Sequence, residues 1–204
     1  YCNLVGGQDE LIFDGNSVVL DADGNALTSG ASFKEDLVLH TVSGNGESEP
    51  PAGPWDTLVL TAKPGRPAAP AASAARPEAG PEENADVYQA LCLGLSDYVN
   101  KNGFERVVIA ISGGIDSALV AAVAVDALGK DRVVGVTMPS RFSSDDTHGD
   151  AQELAHRLGI PLHDIPIRRL HELYLEELAP LWPEKPADTT EENLQARIRG
   201  NIVM

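Results

Sequence analysis

The feature that most constrains the fold of this chain is a glycine-rich turn between an apolar run and a helix-like segment. Residues 112–117 read Ser-Gly-Gly-Ile-Asp-Ser; the β-branched run 107–111 precedes them, and the Ala/Val/Leu-rich segment 118–128 follows. A short continuous apolar run is typical of a strand that is buried on both faces, as in parallel sheets covered by helices. The pattern therefore predicts a strand, a tight turn and a helix.

The same alternation continues along the chain. Residues 133–138 and 162–167 are apolar runs that predict two more strands, and 147–158 between them has its apolar residues at helical spacing. Strand–helix–strand–helix–strand predicts an α/β fold in which three neighbouring parallel strands carry helices on both faces. Further helices are predicted at 87–99, 170–178 and 191–204, the last with a capping box in Thr189-Thr190-Glu191-Glu192.

The first 84 residues have a different character. Residues 1–42 contain short β-like runs separated by Gly- and Asn-containing turns, and they are too few to form a core alone. Residues 43–84 are rich in Pro and Ala, which predicts a linker; 63–84 should carry no regular structure. We therefore predict three parts: a β-structured segment 1–42, a linker 43–84 and an α/β domain 85–204. Because the chain starts without Met and stops within a helical pattern, we expect it to be a fragment.

Charge and cysteine content exclude several classes of protein. The formal net charge is −16, from 15 Lys+Arg and 31 Asp+Glu, without the basic cluster that nucleic acids or anionic membranes require. No apolar run approaches the ~18 residues that span a bilayer. Cys2 and Cys92 have no metal-ligand spacing and are too few for a disulfide scaffold, so we expect both to be packed, reduced thiols of a cytoplasmic protein. An acidic chain can still bind phosphates locally, through backbone N–H groups and a metal ion.

The 112–117 turn has the composition of a phosphate-binding loop. Ligands of parallel sheets lie at the carboxyl ends of strands, where the N–H groups of the next helix can bind an anion. Gly113 and Gly114 allow a tight turn, Ser112 and Ser117 add hydroxyl donors, and Asp116 can hold magnesium beside a polyphosphate. The alternative from the residues alone is a glycine-rich turn with capping serines.

These residues resemble the pyrophosphate-binding loop of the ATP pyrophosphatases. Residues 138–144 (Met-Pro-Ser-Arg-Phe-Ser-Ser) and 192–200 (Glu-Asn-Leu-Gln-Ala-Arg-Ile-Arg-Gly) are similar to two segments of the NAD synthetases, which lie near the adenosine and the deamido-NAD respectively. Residues 3–15 resemble the last strands of the nitrilase-type glutaminase domain that precedes the synthetase in the glutamine-dependent members.

The resemblance implies a fold and a reaction. It implies an adenine nucleotide alpha hydrolase-like domain preceded by the end of a nitrilase-like α/β sandwich. ATP would adenylate deamido-NAD, and ammonia derived from glutamine would displace AMP to give NAD. The glutaminase active site would lie outside this chain, and the full-length enzyme would be a homo-oligomer. The implied ATP-binding residues are Ser112, Gly113, Gly114, Ile115, Asp116, Ser117 and Met138. The implied deamido-NAD ligands are Asn193 and Arg197, and Asp116 would hold Mg²⁺.

Alternatives remain at this stage. The chain could be an ATP-binding module without catalysis, or part of another ATP pyrophosphatase such as a GMP synthetase, although the nitrilase-like segment argues against the latter. The histidines show no ligand spacing, so surface or helix-face positions are expected for them. Asp145, Asp146 and Asp150 could form a second metal site, but helix capping and a solvated loop explain them more simply.

Overall fold

The structure, a computed structural model of the chain, describes residues 1–41, 83–140, 145–181 and 188–204. These residues fall into two compact units: Tyr1–Val5 with 13–41, and Gly6–Ile12 with the described residues after 82. Most of the predicted linker lies outside the described residues. Its last two residues do not fit the prediction, because helix α1 (Glu83–Lys101) already includes them.

The N-terminal residues form two strand pairs. Strands β1 (Val5–Gln8) and β2 (Leu11–Asp14) pair with each other, and β3 (Val18–Leu20) pairs antiparallel with β4 (Ala26–Ser29). The β3–β4 turn is held by Asp21, whose carboxylate accepts hydrogen bonds from the N–H groups of Asp23 and Asn25. Cys2 precedes β1 and is exposed. The expectation that Cys2 is a packed thiol is therefore wrong; the first strand begins only at Val5, so Cys2 lies before it.

The tip of the β1–β2 hairpin, Gly6–Ile12, belongs to the same unit as α1. The Gly7 N–H donates to Asp97 Oδ2 at 2.8 Å, and Lys101 Nζ donates to the Gly7 carbonyl at 2.6 Å. Lys101 also pairs with Asp97 at 2.9 Å. The Gly7 hydrogen bond and, after it, Lys101 hold the pKa of the Asp97 carboxyl below its usual range. The backbone of the tip is thus fixed by two side chains of one helix.

The core of the second unit is a three-stranded parallel sheet, as predicted. Strand β5 (Val107–Ala110) pairs with β6 (Val133–Thr137), and β6 pairs with β7 (Leu162–Asp164). Successive strands are joined by α2 (Ile115–Leu128) and α3 (Asp145–Leu158). After β7 come α4 (Arg168–Leu178) and α5 (Thr189–Val203). The strands are one to three residues shorter than predicted, and α2 begins three residues earlier because Gly114 already serves as its N-cap.

Helices cover both faces of this sheet. On one face, Ile111 and Val133 pack with small residues of α2 and α3, including Ala121, Ala124 and Ala151. On the other face, Val136, Met138 and Ile167 pack against Ile198 of α5. Successive residues of β6 point to opposite faces of the sheet, as the two-residue period of a strand requires. Val133 therefore lies in one cluster and Val136 in the other. Each fully buried aliphatic side chain contributes about 1.5–3 kcal/mol through removal of apolar area from water.

Two further helix features are the packing of α1 along α2 and the capping of α5. Helix α1 packs along α2, where Tyr88 Oη donates to Asp126 Oδ2 at 2.7 Å and Cys92 Sγ lies 3.9 Å from the Val123 carbonyl. Helix α5 does begin with a capping box, but Asp188 and Glu191 form it, so its predicted position was wrong by one residue. Among the described residues, no helix is long and apolar enough to cross a membrane.

Candidate functional site

The 112–117 loop joins the carboxyl end of β5 to the first turn of α2. Two serines close it: Ser117 Oγ donates to the Gly114 carbonyl at 2.9 Å and accepts from the Ser112 N–H at 3.2 Å. Ser112 Oγ lies 3.1 Å from Ser117 Oγ and accepts from the Gly114 N–H at 3.2 Å. The hydroxyls predicted to serve a ligand therefore hold the loop itself in this structure, which keeps its backbone in a fixed shape.

The first N–H groups of α2 remain available to a ligand. The first helical hydrogen bond runs from the Ala118 N–H to the Gly114 carbonyl, and the N-cap residue Gly114 has no side chain to cap the turn. Within the described residues, the N–H groups of Ile115, Asp116 and Ser117 face no protein acceptor, as at any uncapped helix N-terminus. Together with the helix dipole, they favour an anion at this position.

Gly113 is required by both its conformation and its surroundings. Its φ is +85°, a left-handed value that costs other residues strain, and a Cβ built on it would overlap the carbonyl oxygen of Thr147. The loop therefore lies directly against the first turn of α3. Gly114 has an extended backbone, and a Cβ built on it would meet only Ser112 Oγ, at 3.4 Å; as the N-cap residue it adds no side chain over the helix end.

A notch of about 130 Å³ lies beside the loop, at the carboxyl ends of β5 and β6. Ser112 and Met138 both line it, and Arg199 from α5 and His148 from α3 also contribute to its wall. It is smaller than the roughly 300–1,000 Å³ of a typical drug-sized ligand pocket, so it can receive only part of a nucleotide. The predicted residues Ser112 and Met138 are thus brought together.

Asn193 and Arg197 share one face of α5, as their spacing predicts, but that face is exposed. Arg197 Nη1 donates to the Asn193 carbonyl of its own helix at 3.2 Å. The opposite face of α5 carries the buried Gln195 and Ile198. The role of Asn193 and Arg197 in binding deamido-NAD stays a prediction.

Sequence reasoning missed Arg199 and His148. Arg199 is half-buried, and its Nε donates to the Met138 carbonyl at 3.3 Å. The signal was present in helical spacing, because Arg199 follows Gln195 by four residues and so lies on the inward face. His148 was expected at a surface or on a helix face; its Nε2 lies 3.3 Å from Asp164 Oδ2 and 3.1 Å from Gln152 Nε2.

The carboxylates near the loop bear on a metal site. Asp116 is exposed in the first turn of α2. Across the described residues, no group of three or more His, Cys, Asp or Glu side chains could hold a metal ion by itself. The side chains of Asp145 and Asp146 are not among those described, and Asp150 is exposed. A single carboxylate suits a magnesium ion that is carried largely by substrate phosphates and water.

Comparison with known proteins gives consistent matches. The family model described as NAD synthase matches residues 87–204. The glutamine-dependent NAD(+) synthetase of Thermotoga maritima is 43% identical over 221 residues, covering 100% of this chain and 37% of that protein. The glutamine-dependent NAD+ synthetase of Acinetobacter baumannii, solved with adenosine diphosphate, matches with a TM-score of 0.77 at 34% identity, covering 100% of this chain and 34% of that one.

A shorter relative matches just over half of the chain. The NH3-dependent NAD synthetase of Campylobacter jejuni, solved with nitrate, is 27% identical with a TM-score of 0.52, and the match covers 58% of this chain and 49% of that one. The chain spans about a third of the length of the glutamine-dependent relatives, with 33–37% covered.

Proposed function

This chain belongs to the NAD synthase family, and from that premise we propose that it supplies part of the ATP site of an enzyme that converts deamido-NAD to NAD. The overall reaction consumes ATP and glutamine and yields AMP, pyrophosphate and glutamate. Because the chain spans about a third of its relatives' length, the glutamine-dependent reaction is proposed for the full-length protein. The ammonia would come from a nitrilase-type domain to which residues 1–42 contribute.

The observation that carries this proposal is the 112–117 loop with its uncommitted helix N-terminus. Its backbone N–H groups lie at the carboxyl end of β5, beside the notch. An acidic chain with a net charge of −16 repels a polyphosphate at long range, so local donors must supply the binding energy. Residues 112–117 would hold the pyrophosphate portion of ATP, and the Met138 segment would contact the adenosine.

The chemistry has two balanced steps. A carboxylate oxygen of deamido-NAD attacks the α-phosphorus of ATP, an O–P bond forms, and the bond from the α-phosphorus to the bridging oxygen breaks, so pyrophosphate leaves with the electron pair. Ammonia then attacks the acyl carbon, AMP leaves with the electrons of the C–O bond, and nitrogen loses a proton. The backbone donors of the loop stabilise the negative charge that develops on the leaving pyrophosphate.

Magnesium fits the donor set of the loop. Asp116 offers an exposed carboxylate at the first turn of α2, next to the backbone donors. Mg²⁺ commonly takes one or two carboxylates and completes its coordination with phosphate oxygens and water. When bound, the ion would neutralise charge on the pyrophosphate. Asp116 would hold it, and Asn193 and Arg197 would bind deamido-NAD.

Two further proposals concern the whole protein. We propose a cytoplasmic location, because both cysteines are unpaired thiols and the substrates are intracellular nucleotides. We propose a homo-oligomer on the family resemblance alone.

The test is substrate-dependent pyrophosphate release. The full-length protein and the 204-residue chain would each be incubated with ATP, Mg²⁺ and ammonium chloride, with and without deamido-NAD. We expect the full-length protein to release pyrophosphate and form NAD only when deamido-NAD is present. Nucleotide binding without pyrophosphate release from the full-length protein would indicate a non-catalytic module. Pyrophosphate release that is the same with and without deamido-NAD would indicate another ATP pyrophosphatase.

A further inference from the structure

Among the described residues that line the notch, Arg199 carries the permanent positive charge. It extends from the inward face of α5, between the buried Ile198 and the carboxyl end of β6, and its Nε donates to the Met138 carbonyl at 3.3 Å. This bond uses one of the five N–H donors of a guanidinium and fixes the orientation of its plane. The remaining donors of a planar fork suit an oxyanion with two acceptor oxygens.

The charge of Arg199 is unbalanced in this part of the chain. Among the described residues no carboxylate pairs with Arg199, and no described acidic side chain lines the notch; Asp164 lies beside His148, whose ring borders the notch. A half-buried cation loses part of its hydration, which an anionic partner can restore. In a chain with 31 acidic residues, an unpaired, half-buried arginine beside a phosphate-type loop indicates that its partner is a ligand.

We propose that Arg199 binds the α-phosphate of ATP. This inference rests on the proposed function, because it takes ATP as the ligand of the 112–117 loop. Ser112 and Met138 both line the notch, and Arg199 is hydrogen-bonded to the Met138 carbonyl. With the pyrophosphate portion on the loop and the adenosine beside Met138, the group that lies between them is the α-phosphate. Arg199 then holds the phosphorus that the substrate carboxylate attacks.

The test compares nucleotides that differ only in their phosphates. Calorimetric titration would give the dissociation constants of ATP, AMP and adenosine for the wild-type full-length protein and for its Arg199→Met and Arg199→Lys variants. The control is Arg157→Met, which removes an exposed guanidinium on α3 that pairs with Glu153. We expect Arg199→Met to weaken ATP and AMP binding roughly ten- to hundred-fold, the scale of a charge-assisted hydrogen bond, while adenosine is unaffected.

Each variant adds a distinct constraint. Arg199→Lys keeps the charge but loses the fork, so its affinities for ATP and AMP should fall between those of wild type and Arg199→Met. Arg157→Met should match wild type for all three ligands. If Arg199→Met does not fold, as seen in its thermal unfolding, the contrast of AMP with adenosine in Arg199→Lys decides the question.

Three outcomes would overturn the inference. Wild-type affinities for ATP and AMP in Arg199→Met would show that the side chain touches no phosphate. An equal loss for adenosine would show that it only shapes the notch. A loss for ATP but not for AMP would assign it to the outer phosphates. Failure of the wild-type full-length protein to bind ATP at all would instead count against the proposed function.

Discussion

Two glycine pairs in the same unit, Gly6 and Gly7 in the hairpin tip and Gly113 and Gly114 in the loop, perform opposite tasks. At the tip, the Gly7 N–H and carbonyl are both bonded to side chains of α1, and a Cβ on Gly7 would lie 2.9 Å from Gly94 Cα. Here glycine allows two backbones to approach closely. In the loop, Gly113 makes the close approach, while Gly114 leaves the N–H groups of α2 uncovered.

The difference between the two glycine pairs shows how a candidate binding loop can be told from a packing contact. All four glycines lack a side chain, and each pair includes one residue with a positive φ, +146° for Gly6 and +85° for Gly113. Only the loop retains unbonded backbone donors at a helix N-terminus. A glycine pair therefore indicates a ligand site only when the donors it exposes are not already bonded to the protein.

The largest expected effect comes from Gly113→Ala, which would break the loop. The new methyl group combines a disfavoured φ with overlap on the Thr147 carbonyl, so we expect a loss of at least ~3 kcal/mol in the free energy of unfolding. Urea unfolding would measure it. The matched control is Gly103→Ala, where φ is +73° but nothing lies within 4 Å of the added carbon. It should lose only about 1 kcal/mol, and an equal loss in both variants would contradict the role of Thr147.

Asp116→Asn should separate chemistry from folding in the same loop. The side chains are nearly isosteric, so the free energy of unfolding should change by less than about 0.5 kcal/mol. In the full-length protein, transition-state stabilisation of magnesium-dependent adenylation should fall by several kcal/mol. Pyrophosphate release and glutamate production would be measured together, and basal glutamine hydrolysis should survive. Pyrophosphate release at the wild-type rate would show that Asp116 is not the magnesium ligand.

Gly7→Ala should lower the free energy of unfolding and leave the affinity for nucleotides unchanged. Its methyl group would press on Gly94 and Asp97, which we expect to cost about 1–3 kcal/mol of unfolding free energy by overpacking. ATP affinity, measured by titration below the unfolding transition, should equal that of wild type. The comparison variant is Gly200→Ala on α5, where no atom lies near the added carbon and a small gain in stability is expected. A change of ATP affinity in Gly7→Ala would mean that the two glycine pairs are coupled.

The smallest effect concerns the pH dependence of the tip. Because the folded pKa of Asp97 is depressed, its contribution is present at neutral pH, above the unfolded value of about 4, and is lost as pH falls through the folded pKa. Lys101 is half exposed, so Asp97→Asn should cost only about 0.5–1 kcal/mol at pH 7. Unfolding of both proteins from pH 7 downward should show the difference shrinking in acid. If the difference in unfolding free energy does not change with pH, the effect of Asp97→Asn comes from the shape of the side chain and not from its charge.

The sequence predicted the sheet well because its signals are local. β-branched runs at 107–111 and 133–138 and the intervening turn identify buried parallel strands without knowledge of tertiary contacts. The membership of Gly6–Ile12 in the second unit depends on contacts with α1 far along the chain, which no local pattern contains. Helix α2 begins earlier than predicted because Gly114 is its N-cap, and the capping box of α5 shifted because Asp188, and not Thr189, is its N-cap.

The site was predictable to the extent that a motif encodes it. The residues of the 112–117 loop lie together because they are consecutive, and Met138 joins them because the carboxyl ends of adjacent parallel strands meet. Arg199 was missed because its relevance depends on which face of α5 turns inward, and Gln195 and Ile198 decide this through burial. Asn193 and Arg197 lie on the exposed face of α5, and their role in binding deamido-NAD stays a prediction.

The parallel register of the sheet has a consequence for how the second unit folds. Val107 pairs with Val133, and Gly135 pairs with Leu162. The chain between two paired strands includes a complete helix. Each pair can therefore form only after this long segment has been closed into a loop. The entropy of closing such loops is lost before the strand contacts form, whereas the β3–β4 hairpin closes over a few residues. We therefore expect helix formation and the N-terminal hairpin to precede sheet assembly. The N-terminal end of α2 and the 112–117 loop would then take their final shape only in the last, slowest phase of refolding.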